Sequence, residues 1–139
     1  MYEIGRIYEF ESAHFLPKYE GKCKRMHGHN YKVMLKLRSE ILQPPFGICS
    51  VMDAKPIQNS QMNMVLDFHL IDEIVKPILD QLDHQILNEV GIKYPTAERI
   101  AQYIYTELKY NKDSSKTLPY LHSVQIWENE WSYAEYSGA

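Results

Sequence analysis

The sequence predicts an α+β domain in which a four-stranded antiparallel sheet packs with two helices. Residues 30–38 alternate strictly between apolar and polar side chains, which is typical of a strand with one buried face. Residues 69–82 and 95–110 carry apolar side chains at helical spacing. The chain shows no strand–helix–strand rhythm, so a parallel sheet with helices on both faces is not expected.

The strands differ in the clarity of their patterns. The first is expected over 2–15 and the second over 30–38, because both alternate at a period of two. A short buried strand is expected over 64–68. The final strands are expected over 123–128 and 131–136, with a turn or bulge between them. The side chains expected on the buried faces of the first two strands are Tyr8, Phe10, Ser12, His14, Tyr31, Val33, Leu35 and Leu37.

Both helices have recognisable starts. Asp67 is a suitable N-cap for the first helix. Pro95 suits the first turn of the second helix, and the carboxylate of Glu98 complements the helix dipole there. The apolar stripes predicted to face the core are Ile71, Ile74, Val75, Ile78, Leu79 and Leu82 in the first helix, and Ala97, Ile100, Ala101, Ile104 and Leu108 in the second.

Composition excludes several classes of protein. A chain of 139 residues predicts one domain, and 45% apolar with 24% charged residues is ordinary for a globular protein. The net charge of -3 offers no basic surface for nucleic acid or an anionic membrane. No apolar run approaches the roughly 18 residues of a membrane span. Four charged side chains in the first 15 residues argue against a signal peptide, and two cysteines predict reduced thiols in the cytoplasm.

The segment 40–62 is an atypical insert in the predicted domain. It is rich in proline, glycine and other turn-forming residues, and it is long for a connection in a small domain. Cys49 lies within it and has no charged neighbours, so we expect this thiol to be inert.

Three histidines predict a metal site. His27 and His29 flank Gly28, so their imidazoles point to the same side of an extended segment. His14 ends the first strand, and antiparallel pairing with the second strand brings it close to the other two. Three neutral imidazoles suit Zn²⁺ and leave its fourth position open for water or substrate. Cys23 as a fourth ligand would instead close a structural site, and both interpretations stand at this point.

Cys23 and two later acidic positions are candidate catalytic or binding groups. Lys22, Lys24 and Arg25 surround Cys23, and positive charge stabilises a thiolate; an exposed bystander is the alternative. Asp83 and His84 follow the first helix, where a carboxylate can orient an imidazole for proton transfer; a solvated helix end is the alternative. Together with Cys23 this pair also admits a cysteine hydrolase. Glu128 shares the inward face of its strand, where a buried carboxylate needs N–H donors such as those of a heterocycle.

These residues fall within ordered motifs that span the chain apart from the insert. In chain order the motifs are Glu11-Ser12-Ala13-His14, Gly21-Lys22-Cys23, His27-Gly28-His29-Asn30-Tyr31, Met64-Val65-Leu66-Asp67-Phe68, Leu82-Asp83-His84-Gln85-Ile86-Leu87-Asn88, Pro95-Thr96-Ala97-Glu98 and Glu128. This set resembles the 6-pyruvoyltetrahydropterin synthase family. The resemblance implies the tunnelling fold, an antiparallel four-stranded sheet with two helices on one face that oligomerises into a barrel.

The resemblance also implies the site. It implies Zn²⁺ held by His14, His27 and His29, proton transfer by Cys23, Asp83 and His84, and a pterin ring anchored by Glu128 near Thr96 and Glu98. It further implies a homo-oligomer, a hexamer or a tetramer, with sites at subunit interfaces and no nucleic acid or membrane partner.

The spacing between Cys23 and the histidine motif indicates a subfamily. Three residues separate Cys23 from His27, which resembles 6-carboxytetrahydropterin synthase of queuosine and 7-deazapurine biosynthesis. The pyruvoyl-forming enzymes carry a longer gap, and a third subfamily has Glu in place of the cysteine. The resemblance implies a lyase that converts 7,8-dihydroneopterin triphosphate to 6-carboxy-5,6,7,8-tetrahydropterin, acetaldehyde and triphosphate. Lys22, Lys24 and Arg25 are candidate contacts for the triphosphate, and a solvated basic loop is the alternative for at least one of them.

The chain departs from the family pattern at three positions. Asn63 stands where the family usually has Gly, Arg99 where it often has Asn, and Asn129 where Thr commonly follows the anchoring Glu. The ring-binding contacts of the last two positions are therefore not implied.

Overall fold

The computed structural model describes residues 1–43, 63–111 and 117–138, where one face of a sheet packs against two helices around a single core cluster. The elements are β1 (Tyr2–His14), β2 (His27–Ser39), α1 (Phe68–Asp80), β3 (Gln85–Ile86), α2 (Ala97–Tyr110), β4 (Leu121–Trp127) and β5 (Tyr133–Tyr136). Short 3₁₀ turns cover Lys22–Lys24 and Leu87–Glu89. Most of the predicted insert, including Cys49, lies outside the described residues.

The strand order is β3-β1-β2-β4-β5. The β1–β2, β2–β4 and β4–β5 pairs are antiparallel, whereas β3 pairs with β1 in parallel. The predicted four-stranded, wholly antiparallel sheet is therefore wrong in strand number and in one pairing. The physical reason is the length of β3, because two residues are too few to show a period in the sequence.

The strand predicted over 64–68 is also wrong. Asn63 adopts a left-handed conformation with φ of 60°, and Gln43 exchanges backbone hydrogen bonds with Asn63 and Met64. The chain turns here, and Val65 and Leu66 are buried without joining the sheet. A short apolar run signals burial, and it does not distinguish a strand from a packed turn. Asp67 is the N-cap of α1, since its Oδ1 accepts from the His69 N–H at 2.8 Å.

Most side chains that the periodic patterns predict for the core are buried, whereas Tyr8 and Ala97 are only partly buried at its edge. The inward-facing residues Tyr31, Val33, Leu35 and Leu37 of β2 are fully buried. The stripe of α1 is buried throughout, and α2 buries Ile100, Ala101, Ile104, Tyr105 and Leu108. Thr96 caps α2 by accepting from the Arg99 N–H at 3.2 Å. None of the helices described is long and apolar enough to cross a membrane.

Candidate active site

Strand pairing brings the three predicted histidines together. In the β1–β2 register His14 lies opposite His27, and Ser12 lies opposite His29. Residues two apart on a strand point to the same face, so all three imidazoles lie on the face that packs against the helices. Their ligand atoms lie within 4.8 Å of one another, which is the arrangement of a metal-binding group.

Backbone carbonyls determine which ring nitrogen of each histidine carries the proton. Nδ1 of His14 lies 2.7 Å from the carbonyl of Pro95, and Nδ1 of His27 lies 2.7 Å from the carbonyl of Arg25. The backbone of Glu128 hydrogen-bonds the third ring, that of His29, whose Nε2 has no partner. Because a carbonyl only accepts, the facing nitrogen must carry the hydrogen. This second layer of contacts is typical of metal-ligating imidazoles.

The remaining Nε2 atoms face one another as lone pairs. Nε2 of His14 lies 2.9 Å from Nε2 of His27, and Nε2 of His29 is buried without a hydrogen-bond partner. Two lone pairs at this distance require a proton or a metal cation between them, and a buried acceptor without a donor is costly. The donor set therefore fits Zn²⁺, which prefers nitrogen ligands and keeps an open position when three protein groups hold it.

Burial favours the neutral, metal-competent form of the histidines. It is the main reason that the pKa values of His14 and His29 lie below the usual value for histidine. The backbone contacts and the negative charge of Glu128 oppose this effect in part. Neutral imidazole is the form that coordinates a metal, so the cluster is ready for a cation near neutral pH.

Cys23 lies apart from the metal-binding group. It occupies the 3₁₀ turn between β1 and β2, where it is half-buried, and its carbonyl accepts from the Leu16 N–H at 2.9 Å. Among the described residues the group that could hold a metal comprises the three histidines without Cys23. The neighbouring side chains of Lys22, Lys24 and Arg25 are exposed and form no salt bridge within the described part of the chain.

Asp83 and His84 form a contacting pair at the edge of the sheet. Nδ1 of His84 lies 2.9 Å from Oδ2 of Asp83, and Oδ1 of Asp83 accepts from the Glu11 N–H at 2.9 Å. The backbone hydrogen bond from Glu11 is the largest cause that lowers the pKa of Asp83, and the contact with His84 adds to it. Asp83 is therefore ionised and orients the His84 ring.

The Asp83–His84 pair does not meet the other predicted catalytic groups within one chain. His84 lines an open cavity of about 700 Å³ at the edge of the sheet. Glu11, Ala13, Gly28 and Asn30, which alternate with the inward-facing residues of β1 and β2, form part of its wall, and Ser12 and His29 also line it. No hydrogen bond or salt bridge in the described ranges joins the pair to Cys23 or to the histidines.

A second cavity, of about 290 Å³, collects the predicted ring-binding residues. Glu128, Thr96 and Glu98 line it together with Leu16 and the start of β5. Glu128 is half-buried directly after β4, and its charge acts on His14, His29 and Tyr31. This cavity therefore lies next to the histidine cluster.

The three departures from the family pattern have local explanations. Asn63 holds a left-handed conformation, which asparagine tolerates better than most residues. Oδ1 of Asn129 accepts from the N–H groups of Trp131 and Ser132, at 2.8 and 3.0 Å, and so closes the β4–β5 turn. Arg99 donates to Gln102 at 2.7 Å and lines a separate cavity beside α2.

Tyr31 is predicted from the sequence only as a core residue of β2, without a role in the site. Its side chain is fully buried, its ring centroid lies 5.3 Å from that of His29, and its hydroxyl has no partner. Burial is the main cause that raises the pKa of this phenol, so it remains a neutral donor. Its position on the same strand face as His27 and His29 is the signal that places it beside the cluster.

Comparison with known proteins gives concordant matches. Residues 3–139 match the family model described as 6-pyruvoyl tetrahydropterin synthase. The 6-carboxy-5,6,7,8-tetrahydropterin synthase of Synechocystis sp. is 33% identical over 138 residues, covering 98% of this chain and 93% of that protein. The protein of that name from Haemophilus influenzae is 28% identical, with coverages of 98% and 99%. The structure of Caenorhabditis elegans 6-pyruvoyl tetrahydropterin synthase matches with a TM-score of 0.74 at 26% identity, covering 99% of this chain and 96% of that one.

Proposed function

Because this chain belongs to the 6-pyruvoyl tetrahydropterin synthase family and has its tunnelling fold, we propose that it is a zinc-dependent 6-carboxy-5,6,7,8-tetrahydropterin synthase. Its substrate would be 7,8-dihydroneopterin triphosphate, and its products 6-carboxytetrahydropterin, acetaldehyde and triphosphate, with uptake of water. The observation that carries this proposal is the convergence of three imidazoles, each contacted by a backbone group, with ligand atoms within 4.8 Å of one another. The names of the two bacterial relatives favour the carboxy product.

The metal-holding residues of the proposed enzyme are His14, His27 and His29. Bound zinc polarises substrate hydroxyl groups and lowers their pKa. The carbonyls of Pro95 and Arg25 keep Nδ1 protonated and Nε2 free, so they fix the ligands before a metal arrives. The donor set supports zinc, since nitrogen ligands suit it and a hard cation such as Mg²⁺ prefers oxygen.

Proton transfer is assigned to Cys23 and to the Asp83–His84 pair. Cys23, which is half-buried in the turn between β1 and β2, would accept a proton from the substrate side chain. His84 would give or take a proton on the other side of the substrate, with Asp83 holding its ring at 2.9 Å. Two proton-transfer groups suit a reaction that moves hydrogen between carbon and nitrogen atoms of a pterin.

Substrate recognition is assigned to the cavity that contains Glu128. Its carboxylate would accept two N–H groups of the pterin ring, and Thr96 and Glu98 line the same cavity. Lys22 and Arg25 form no salt bridge among the described residues, which supports their proposed contact with the triphosphate. We place the enzyme in the cytoplasm and its product in queuosine and 7-deazapurine biosynthesis.

The proposed active site is shared between copies of the chain. His84 and His29 line the same open cavity, but no hydrogen bond or salt bridge among the described residues joins Asp83 or His84 to the histidine cluster or to Cys23. A homo-oligomer, a hexamer or a tetramer, would bring the Asp83–His84 pair of one copy to the zinc and Cys23 of another. The lack of any contact between these groups within the described part of one chain supports this arrangement.

Product identification tests the proposal. Zinc-loaded protein is incubated with 7,8-dihydroneopterin triphosphate, and the products are identified by mass spectrometry. We expect 6-carboxytetrahydropterin and acetaldehyde in equal amounts. A pterin product without acetaldehyde would assign the pyruvoyl-forming reaction, the alternative that the match to the Caenorhabditis elegans structure favours. Zinc-loaded protein without any turnover would indicate a non-catalytic zinc protein.

A further inference from the structure

Residue 11 contacts the Asp83–His84 pair in three ways. The Glu11 N–H donates to Oδ1 of Asp83 at 2.9 Å, and the Glu11 carbonyl accepts from the His84 N–H. The Glu11 carboxylate lies on the other side of the ring, with Oε2 3.6 Å from Nε2 of His84. His84 holds a left-handed conformation with φ of 56°, and such a conformation persists in a non-glycine residue only when neighbouring contacts stabilise it.

These contacts leave the His84 ring with a carboxylate at each nitrogen. Oδ2 of Asp83 lies 2.9 Å from Nδ1, and Oε2 of Glu11 lies 3.6 Å from Nε2. Neutral imidazole carries one N–H, so its second nitrogen would present a lone pair to an anion. The imidazolium carries hydrogens on both nitrogens, so it can donate to Asp83 at 2.9 Å and form an ion pair with Glu11 at 3.6 Å. Of the other residues that line the same cavity, Glu89 is a third anion, His29 belongs to the metal group, and Gln85 and Asn30 are neutral.

We propose that Glu11 is a positioning residue whose carboxylate orients His84 and pairs with its ring at Nε2 when the ring is charged, beside the cavity that both side chains line. The inference rests on the proposed function, because it gives His84 the role of the acid in the proton-transfer pair. Both side chains are largely exposed, at 66% for Glu11 and 73% for His84, so solvent screens the interaction and its effect is modest.

The structure separates the effect of the side chain from that of the backbone. The two backbone contacts of residue 11 do not depend on its side chain, so Glu11→Gln removes the charge and leaves the turn in place. Glu9 offers a matched control. It is exposed on the same face of β1, two residues earlier, and among the described residues it forms no salt bridge with His84.

The direct test is ¹⁵N NMR of the His84 ring in zinc-loaded full-length protein near neutral pH. In Glu11→Gln we expect the ratio of neutral to charged His84 ring to rise about threefold, the size of an exposed ion pair. Glu9→Gln should leave this ratio unchanged. An unchanged ratio in Glu11→Gln, or an equal rise in Glu9→Gln, would overturn the inference. Thermal unfolding of both variants checks that the fold is intact.

The turnover rate tests whether the contact between Glu11 and the His84 ring affects the reaction. Glu11→Gln should lower kcat about threefold at neutral pH, with KM unchanged, because Glu11 acts on His84 and not on bound substrate. The pH–rate profile of this variant should shift to lower pH, and that of Glu9→Gln should not. A kcat equal to that of the original protein would overturn the role of Glu11 in proton supply. If the original protein itself shows no turnover, the proposed function fails. The ¹⁵N NMR signals of the His84 ring then still test whether Glu11 acts on this ring.

Discussion

Two polar clusters lie on the same face of β1. They differ in how many of their polar atoms find a hydrogen-bond partner within the chain. In the first, Nε and Nη2 of Arg6 donate to Asp72 at 3.0 and 2.8 Å, and the Tyr8 hydroxyl donates to the same carboxylate at 2.5 Å. In the second, the Nε2 atoms of His14 and His27 abut at 2.9 Å, and that of His29 has no partner. The first cluster is complete within the chain, and the second is not.

The difference separates a structural cluster from a functional one. In the Arg6–Tyr8–Asp72 cluster donors and acceptors balance, and the contacts join β1 to α1. In the histidine cluster a backbone group contacts each ring, at Nδ1 in His14 and His27, and the Nε2 acceptors remain at the centre. Buried polar groups are normally paired, and an unpaired set of lone pairs is one that could hold an external cation.

The largest effect is expected from removing one lone pair of the histidine cluster. His29→Ala should reduce zinc affinity by more than about 100-fold and abolish turnover, because two imidazoles remain to hold the metal. Metal content after dialysis and product formation are the measurements. His69→Ala, in an exposed residue at the start of α1, should retain both. Full zinc content in His29→Ala would remove the distinction between the two clusters.

A large effect on turnover alone is expected at Cys23. Cys23→Ala should retain zinc and lose about 10²- to 10⁴-fold in kcat, the range for a lost acid or base. Metal content and product formation are measured on the same sample, with Cys23→Ser as the companion variant. Loss of zinc in Cys23→Ala would make Cys23 a fourth ligand and would close the histidine cluster within the chain.

A moderate effect on stability is expected from removing the carboxylate of the Arg6–Tyr8–Asp72 cluster. Asp72→Ala removes the shared acceptor of Arg6 and Tyr8, so the free energy of unfolding should fall by about 2 kcal/mol. Urea unfolding measures it, with Glu73→Ala at the neighbouring exposed position as control. Zinc content of the folded variant should be unchanged. A variant as stable as the original protein would show that the balanced cluster is not structural.

The smallest effect is expected from acid. The hydrogen bonds from Arg6 are the largest cause that holds the pKa of Asp72 below its usual value of 3.8. A lowered pKa contributes stability that is fully present above the unfolded value and is lost as the pH falls through the folded one. The stability difference between the original protein and Asp72→Asn should therefore shrink below about pH 4. A difference that stays constant down to pH 2 would contradict this assignment.

The parts of the molecule with long periodic patterns could be predicted from the sequence. The alternation over 30–38 and the stripe of α1 depend on local spacing, and both agree with the buried residues of the structure. β3 has two residues, and its parallel pairing with β1 depends on contacts distant in sequence. The turn over 63–66 buries apolar residues as a strand would, so composition could not distinguish the two.

The histidine cluster could be predicted in its members but not in its chemistry. The His-Gly-His spacing and the hairpin register determine which imidazoles meet. The carbonyls of Pro95 and Arg25 that fix the ring nitrogens leave no sequence signal, because every residue has a carbonyl. The placement of the Asp83–His84 pair at the edge of the sheet, against Glu11 of β1, depends on the path of the chain after α1.

X-ray absorption at the zinc edge tests most directly whether the histidine cluster is an open metal centre. We expect three imidazole nitrogens from His14, His27 and His29 at about 2.0–2.1 Å from the metal, with a light oxygen ligand in the fourth position. Cys23→Ala should give the same spectrum. A sulfur ligand at about 2.3 Å that disappears in Cys23→Ala would instead show a closed structural site with Cys23 as the fourth ligand.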